Sequence, residues 1–305
     1  MKASIALPLQ PERKFFDSYL GIAALAVTVL IWASFFLSLR AGARANLPPA
    51  ELALVRFGPA GLVFLPVLIS RWQRIVAVPK RYLLGMFAGS GLPYFLIAGL
   101  GMRHAPVSDG STLIPGTIPL FVALLGGLLY RQVTPRNQYL ALAMISIGAS
   151  IMLAFNHGSG DVLQGYGLFL LGSLMWANFT VCLRLSGLKP MEGGAVVSTG
   201  SLILLLVWIL LGHLPTTLLA MPISSLAFHG LIQGLGVGLL STLSYAYAIT
   251  RLGAPRAAAA GALTPVLASI LAAPLFGELP GMASLAGMAI ITAGVALASW
   301  PINRR

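Results

Sequence analysis

The distance between charges constrains this chain more than any other feature. No Asp, Glu, Lys or Arg occurs between Asp17 and Arg40, Arg81 and Arg103, Asp109 and Arg131, Arg136 and Asp161, Asp161 and Arg184, Arg256 and Glu278, or Glu278 and Arg304. Crossing about 30 Å of hydrocarbon takes roughly 20 apolar residues at about 1.5 Å each, so each gap has the length of one bilayer span. The uncharged stretch from Glu192 to Arg251 is broken by Gly212-His213-Leu214-Pro215 and Pro222, which divides it into two helices and a hairpin. The gap from Arg56 to Arg71 is too short, so that helix must begin near Leu52 and carry Arg56 inside it, close to one end. The expected spans are 18–39, 52–70, 82–101, 108–129, 138–155, 165–183, 194–211, 226–249, 257–276 and 282–300. The fold class is therefore an all-α membrane protein with ten transmembrane helices, a short segment 1–17 before them and a tail 301–305 after.

Composition agrees. Of 305 residues, 58% are hydrophobic and 9% charged, against about a quarter charged in soluble domains. Positively charged short loops stay in the cytoplasm. Fifteen Lys and Arg residues fall on the side of the two termini, and only Arg40, Arg44 and Arg103 on the other. Both termini are expected to be cytoplasmic in a multi-pass protein of the inner (plasma) membrane. The net charge of +12 is then a topology signal, with the lipid bilayer as partner, and it requires no nucleic acid. The first span is too long for a signal-peptide core and is expected to remain in the membrane. The single cysteine, Cys182, reads as a small packing residue. Short loops leave no room for a soluble catalytic domain.

The chain also repeats itself. Trp32-Ala33-Ser34-Phe35, ending at Leu39-Arg40, returns as Trp176-Ala177-Asn178-Phe179, ending at Leu183-Arg184, and Gly21 matches Gly165. Pro49-Ala50-Glu51 echoes Pro190-Met191-Glu192, Ala105-Pro106 echoes Ala254-Pro255, Pro119 echoes Pro265, and Gly148 echoes Gly294. The expected units are 18–155 and 162–300, five helices each. Five is odd, so the second unit enters the membrane from the opposite side. Inverted-topology repeats are a construction of secondary transporters, which alternate access to a midplane site.

These residues carry a family resemblance. Leu263 to Glu278, followed by Gly287 and Ala293-Gly294-Val295, resembles the end of an EamA domain of the drug/metabolite transporter superfamily. The opening Trp-Ala-x-Phe of each half, and Val55-Arg56-Phe57, resemble the same domain. The resemblance covers nearly the whole chain as two tandem copies and implies a ten-helix carrier. Many members of that family export amino acids or other small metabolites. The first copy departs from it where Tyr130-Arg131-Gln132 stands in place of Phe276-Gly277-Glu278.

Polar side chains in lipid are costly, which makes each one a candidate. Arg56 either binds a substrate carboxylate or phosphate through its guanidinium fork, or reaches the headgroups, or pairs with Glu51 or Asp109. Ser90 and Tyr94 share a helical face in the third span, as do Ser241, Ser244 and Tyr245 in the eighth; each stripe suits either a cavity wall or interhelical hydrogen bonding. Trp32 and Trp176 lie deep in their spans, away from the interfacial belt, and are expected to wall a cavity. Ser34 with Ser38, and Asn178 with Cys182, form small stripes for helix packing. Pro115 and Pro119 in the fourth span and Pro265 in the ninth are expected to interrupt their helices and act as hinges. Gly85 with Gly89, and Gly234 with Gly238, have the spacing of close helix contacts.

Rival classes are weaker. His104 to Asp109 has an H-x4-D spacing resembling an acyltransferase motif, but no second element of that chemistry accompanies it. There is no P-loop, H-E-x-x-H or G-x-S-x-G in the chain. No enzyme activity, cofactor or metal is expected. With no acid near a midplane, the expected protein is a facilitator or loosely proton-linked exporter of small neutral or zwitterionic metabolites such as amino acids. The alternatives are a membrane scaffold or receptor-like protein, or a multidrug carrier. A monomer or weak homodimer is expected.

Overall fold

In a bilayer every backbone N–H and C=O must find a partner inside its own segment, so an apolar chain of this length folds into helices. The computed structural model describes residues 11–130, 134–155, 160–214, 218 and 221–299. Those residues are helical throughout apart from short connections. The main helices are α1 (Pro11–Arg44), α2 (Pro49–Ser70), α3 (Lys80–His104), α4 (Val107–Tyr130), α5 (Tyr139–Phe155), α6 (Gly160–Ser186), α7 (Pro190–Leu210), α8 (Ile223–Leu252), α9 (Ala254–Phe276) and α10 (Met282–Ser299). Among the described residues nine of them are long and apolar enough to cross a membrane, and α5, at 17 residues, is a shorter apolar helix. The chain is a multi-span helical membrane protein.

Helix starts follow from local chemistry. Pro49 and Pro190 each open a helix, where a missing N–H costs nothing. Glu192 caps the start of α7 by accepting the Lys189 N–H at 2.7 Å.

Three helices are irregular. α3 breaks at Gly91 into Lys80–Ser90 and Leu92–His104, and the freed Leu92 N–H is taken by Ser201 Oγ of α7 at 2.9 Å. α8 contains a π-helical stretch, Gly230–Leu240, between two α-helical parts. α9 divides into Ala254–Gly261 and Thr264–Phe276. The three prolines expected to act as hinges take two kinds of position. α4 runs unbroken through Pro115 and Pro119, whereas Pro265 sits in the first turn of the second part of α9. Repeat-related prolines thus occupy different helical positions, because a proline at the first turn starts a helix and one inside only loses a bond.

The packing is orderly. α2 lies against α7, α5 against α10 and α4 against α9. α1 packs on α8 as α3 does on α6, α1 on α9 as α6 does on α4, and α2 on α8 as α7 does on α3. Exchanging each helix with the one five places on maps these contacts onto one another, whereas α1 with α3 and α4 with α10 pack more closely than their counterparts. The atomic contacts obey the same exchange. A Cβ on Gly148 would stand 2.8 Å from Ile291 Cγ1 and 2.9 Å from the Gly287 carbonyl; one on Gly294 would stand 2.9 Å from Ile145 Cγ1 and 3.0 Å from the Ala141 carbonyl. Both glycines let α5 and α10 touch backbone to backbone.

Candidate functional site

Arg56 lies seven residues, about 10 Å, in from Pro49, deeper than the single turn expected. Its side chain is buried, with 8% of its surface exposed. The guanidinium carbon stands 5.3 Å from the Phe35 ring centroid, 5.3 Å from that of Phe57 and 5.7 Å from that of Phe95. Phe95 is itself edge-on to Phe35 and Phe57 at 6.2 and 5.9 Å. Tyr94 is within electrostatic reach of the same charge. The cation therefore faces a cage of three rings from α1, α2 and α3. Ring faces attract a cation but offer no hydrogen-bond acceptor of ordinary strength. Nη1 is buried without a hydrogen-bond partner.

The tryptophans and tyrosines singled out in the sequence meet in two pairs. Trp32 of α1 stacks at 5.0 Å on Tyr245 of α8, with the planes tilted by 51°. Trp176 of α6 meets Tyr94 of α3 at 5.0 Å and 62°. The helix exchange described above carries one pair of helices into the other. Tyr94 is buried, and Trp32, Trp176 and Tyr245 are half-buried.

The serines divide differently. Ser244 Oγ lies 2.8 Å from Thr28 Oγ1, joining α8 to α1, and Ser241 Oγ donates to the Val237 carbonyl one turn back in its own helix at 3.0 Å. Ser90 is buried but sits on the other side of the Gly91 break from Tyr94, so the two do not share one helical face. Ser38 Oγ is 2.8 Å from His229 Nδ1, and Asn178 donates to the Gly85 carbonyl at 3.4 Å. The small stripes are therefore helix contacts.

One end of the bundle is tied by charge. Gly277, with φ 65°, closes α9 in the left-handed conformation that glycine favours. The next residue, Glu278, takes Arg40 Nε at 2.6 Å, Arg44 at 2.8 Å and the Val107 N–H at 3.0 Å. Arg40 also donates to the Met102 carbonyl at 2.5 Å. One carboxylate thus joins the last helices to the ends of α1 and α3 and the start of α4. The corresponding residues of the first copy, Arg131 and Gln132, lie outside the described residues. Nearby, Asp109 accepts from Tyr166 at 2.6 Å and from Ser108 at 3.0 Å. The H-x4-D aspartate is thereby engaged in packing. Among the described residues no group of three or more His, Cys, Asp or Glu could hold a metal ion.

Sequence reasoning did not single out Gln233 or His229, both buried in α8. A polar residue within an otherwise apolar span was the available signal.

Comparison with known proteins gives consistent results. The profile of the EamA-like transporter family matches residues 19–154 and again 163–300. A Bacillus subtilis (strain 168) protein named "Uncharacterized transporter YdfC" is 27% identical over 90% of this chain and 89% of its own length. An Escherichia coli (strain K12) protein named "Uncharacterized inner membrane transporter YedA" is 28% identical over 84% of this chain and 82% of its own. A solved crystal structure shares the fold with a TM-score of 0.57 at 17% identity, covering 92% of this chain and 95% of that one.

Proposed function

Because this chain belongs to the EamA-like transporter family as two tandem copies, we propose that it exports small neutral or zwitterionic metabolites, such as amino acids, by alternating access. The observation that carries this reading is the unmet donor of Arg56, held by aromatic rings between α1, α2 and α3. A substrate carboxylate arriving there supplies the acceptor that the protein does not. The ring walls accept the apolar part of the same solute.

In this reading the ten helices form two inverted five-helix repeats, with both termini in the cytoplasm of a cell bounded by the inner membrane. The packing set that survives helix exchange supports the two-fold relation, and the excess of Lys and Arg on the side of the termini supports the orientation. Discontinuous helices line the centre of many such carriers, and α3 and α8, third in each copy, are both broken or unwound, as is α9.

The test is solute flux into inside-out vesicles. Uptake of a small amino acid or related metabolite is expected to saturate with concentration, and Arg56→Gln is expected to raise the apparent KM about tenfold or more. Unsaturable flux across a broad metabolite panel would sink the carrier reading. Unchanged kinetics in Arg56→Gln would return the arginine to a purely structural role.

A further inference from the structure

Among the described residues three buried side-chain polar atoms lack a hydrogen-bond partner: Arg56 Nη1, Gln233 Oε1 and Thr292 Oγ1. Two of them belong to side chains that touch Phe35. The Arg56 guanidinium stands 5.3 Å from the Phe35 ring centroid, and Gln233 Nε2 donates to the Phe35 carbonyl at 3.4 Å. Gln233 has 0% of its surface exposed. The π-helical stretch that carries it lies directly on α2 beside the arginine. A Cβ on Gly234 would stand 3.0 Å from the Val55 carbonyl, and one on Gly238 3.4 Å from the Arg56 carbonyl. The same stretch of α8 that approaches α2 at Arg56 therefore also carries Gln233 to Phe35 of α1.

The two unmet groups have opposite hydrogen-bond sense. Arg56 has a spare donor and Gln233 a spare acceptor. Unmet buried groups of either kind are costly, and a direct bond between them would relieve both. Neither is met within the protein, Arg56 facing the Phe35 ring and Gln233 spending its Nε2 on the Phe35 carbonyl, which leaves the relief of Nη1 and Oε1 to a third molecule. We infer that Gln233 is the second polar contact of the transport site, its Oε1 accepting an N–H from a cargo whose carboxylate Arg56 holds. This rests on the reading of Arg56 as a cargo contact. Charge fits as well: one fixed cation matches one carboxylate, and a neutral amide accepts from an ammonium without adding an anion that would itself pair with Arg56.

The experiment uses the full chain in proteoliposomes with two probes of one carbon skeleton, L-leucine and its deaminated analogue 4-methylpentanoate. Gln233→Leu removes the acceptor at similar size. It is expected to raise the half-saturating concentration of L-leucine about tenfold or more, while that of 4-methylpentanoate changes less than about twofold. Arg56→Gln is expected to weaken both probes. Equal weakening of both by Gln233→Leu, or of neither, overturns the role of Gln233 and leaves that of Arg56 standing. A wild-type protein that takes up neither probe, or an Arg56→Gln variant equal to wild type, overturns the Arg56 reading and this one with it. Gln233→Glu gives a second measurement that needs no cargo. An internal carboxylate on the stretch of α8 that packs against α2 at Arg56 is expected to raise Tm when Arg56 is present and to lower it in Arg56→Gln. An equal fall in both backgrounds overturns the placement.

Discussion

Arg56 concentrates the problem that a carrier has to solve with side chains. An arginine at the centre of a span costs about 2.5–3.5 kcal/mol on insertion scales, and less toward an end, where Arg56 lies. Each ring face returns about 0.5–2 kcal/mol, so three rings offset most of that cost while leaving a donor free. The cage depends on Phe95, which has 0% exposure and touches both other rings. Phe95→Ala is expected to cost about 3–5 kcal/mol of stability, read as denaturant unfolding in detergent. Phe95→Leu should lose much less. Arg56 was legible in the sequence because no other Lys or Arg falls inside a span. Gln233 was not, because an uncharged polar residue in a helix acquires meaning only when its neighbours leave its oxygen unmet.

Among the elements, the helices were readable and their interruptions were not. Charge gaps bound each rod to within a few residues, since lipid penalises a charge wherever it lies in the core. The break at Gly91 depends instead on Ser201, a hydroxyl from a helix more than a hundred residues away that receives the freed Leu92 N–H. Where each proline sits in its helix was also a tertiary matter: Pro119 lies inside α4, while Pro265 falls in the first turn after the interruption of α9. At the other end of α9, Glu278 joins several elements with one carboxylate that is 11% exposed, while Arg44 is 45% exposed. Removing a buried charge strands its partners, whereas a surface arginine contributes little. Glu278→Ala is expected to destabilise the protein by about 3 kcal/mol, and Arg44→Ala by under about 1 kcal/mol. Equal thermal shifts for the two variants would show that the clasp is a surface ornament.

For the whole molecule, the repeat-related contacts make a quantitative demand. Gly148 and Gly294 occupy matching contacts between α5 and α10, each with less than 3.0 Å between an added Cβ and the facing isoleucine. Gly148→Ala and Gly294→Ala should therefore destabilise by similar amounts, about 1–3 kcal/mol each, measured by thermal unfolding in detergent. A large difference would mean that the halves share a sequence pattern without sharing a packing interface. The sequence by itself determined a multi-span helical protein, the bounds of its helices and its internal repeat, because the hydrocarbon core acts on each segment separately and leaves a record in charge spacing. The grouping of side chains was decided only by tertiary structure. Trp32 meets Tyr245 and Trp176 meets Tyr94 across hundreds or tens of residues, and Gln233 reaches Phe35 from α8. Such contacts depend on helix rotation and close approach, which apolar periodicity in a bilayer does not encode, since lipid and protein interior are equally apolar.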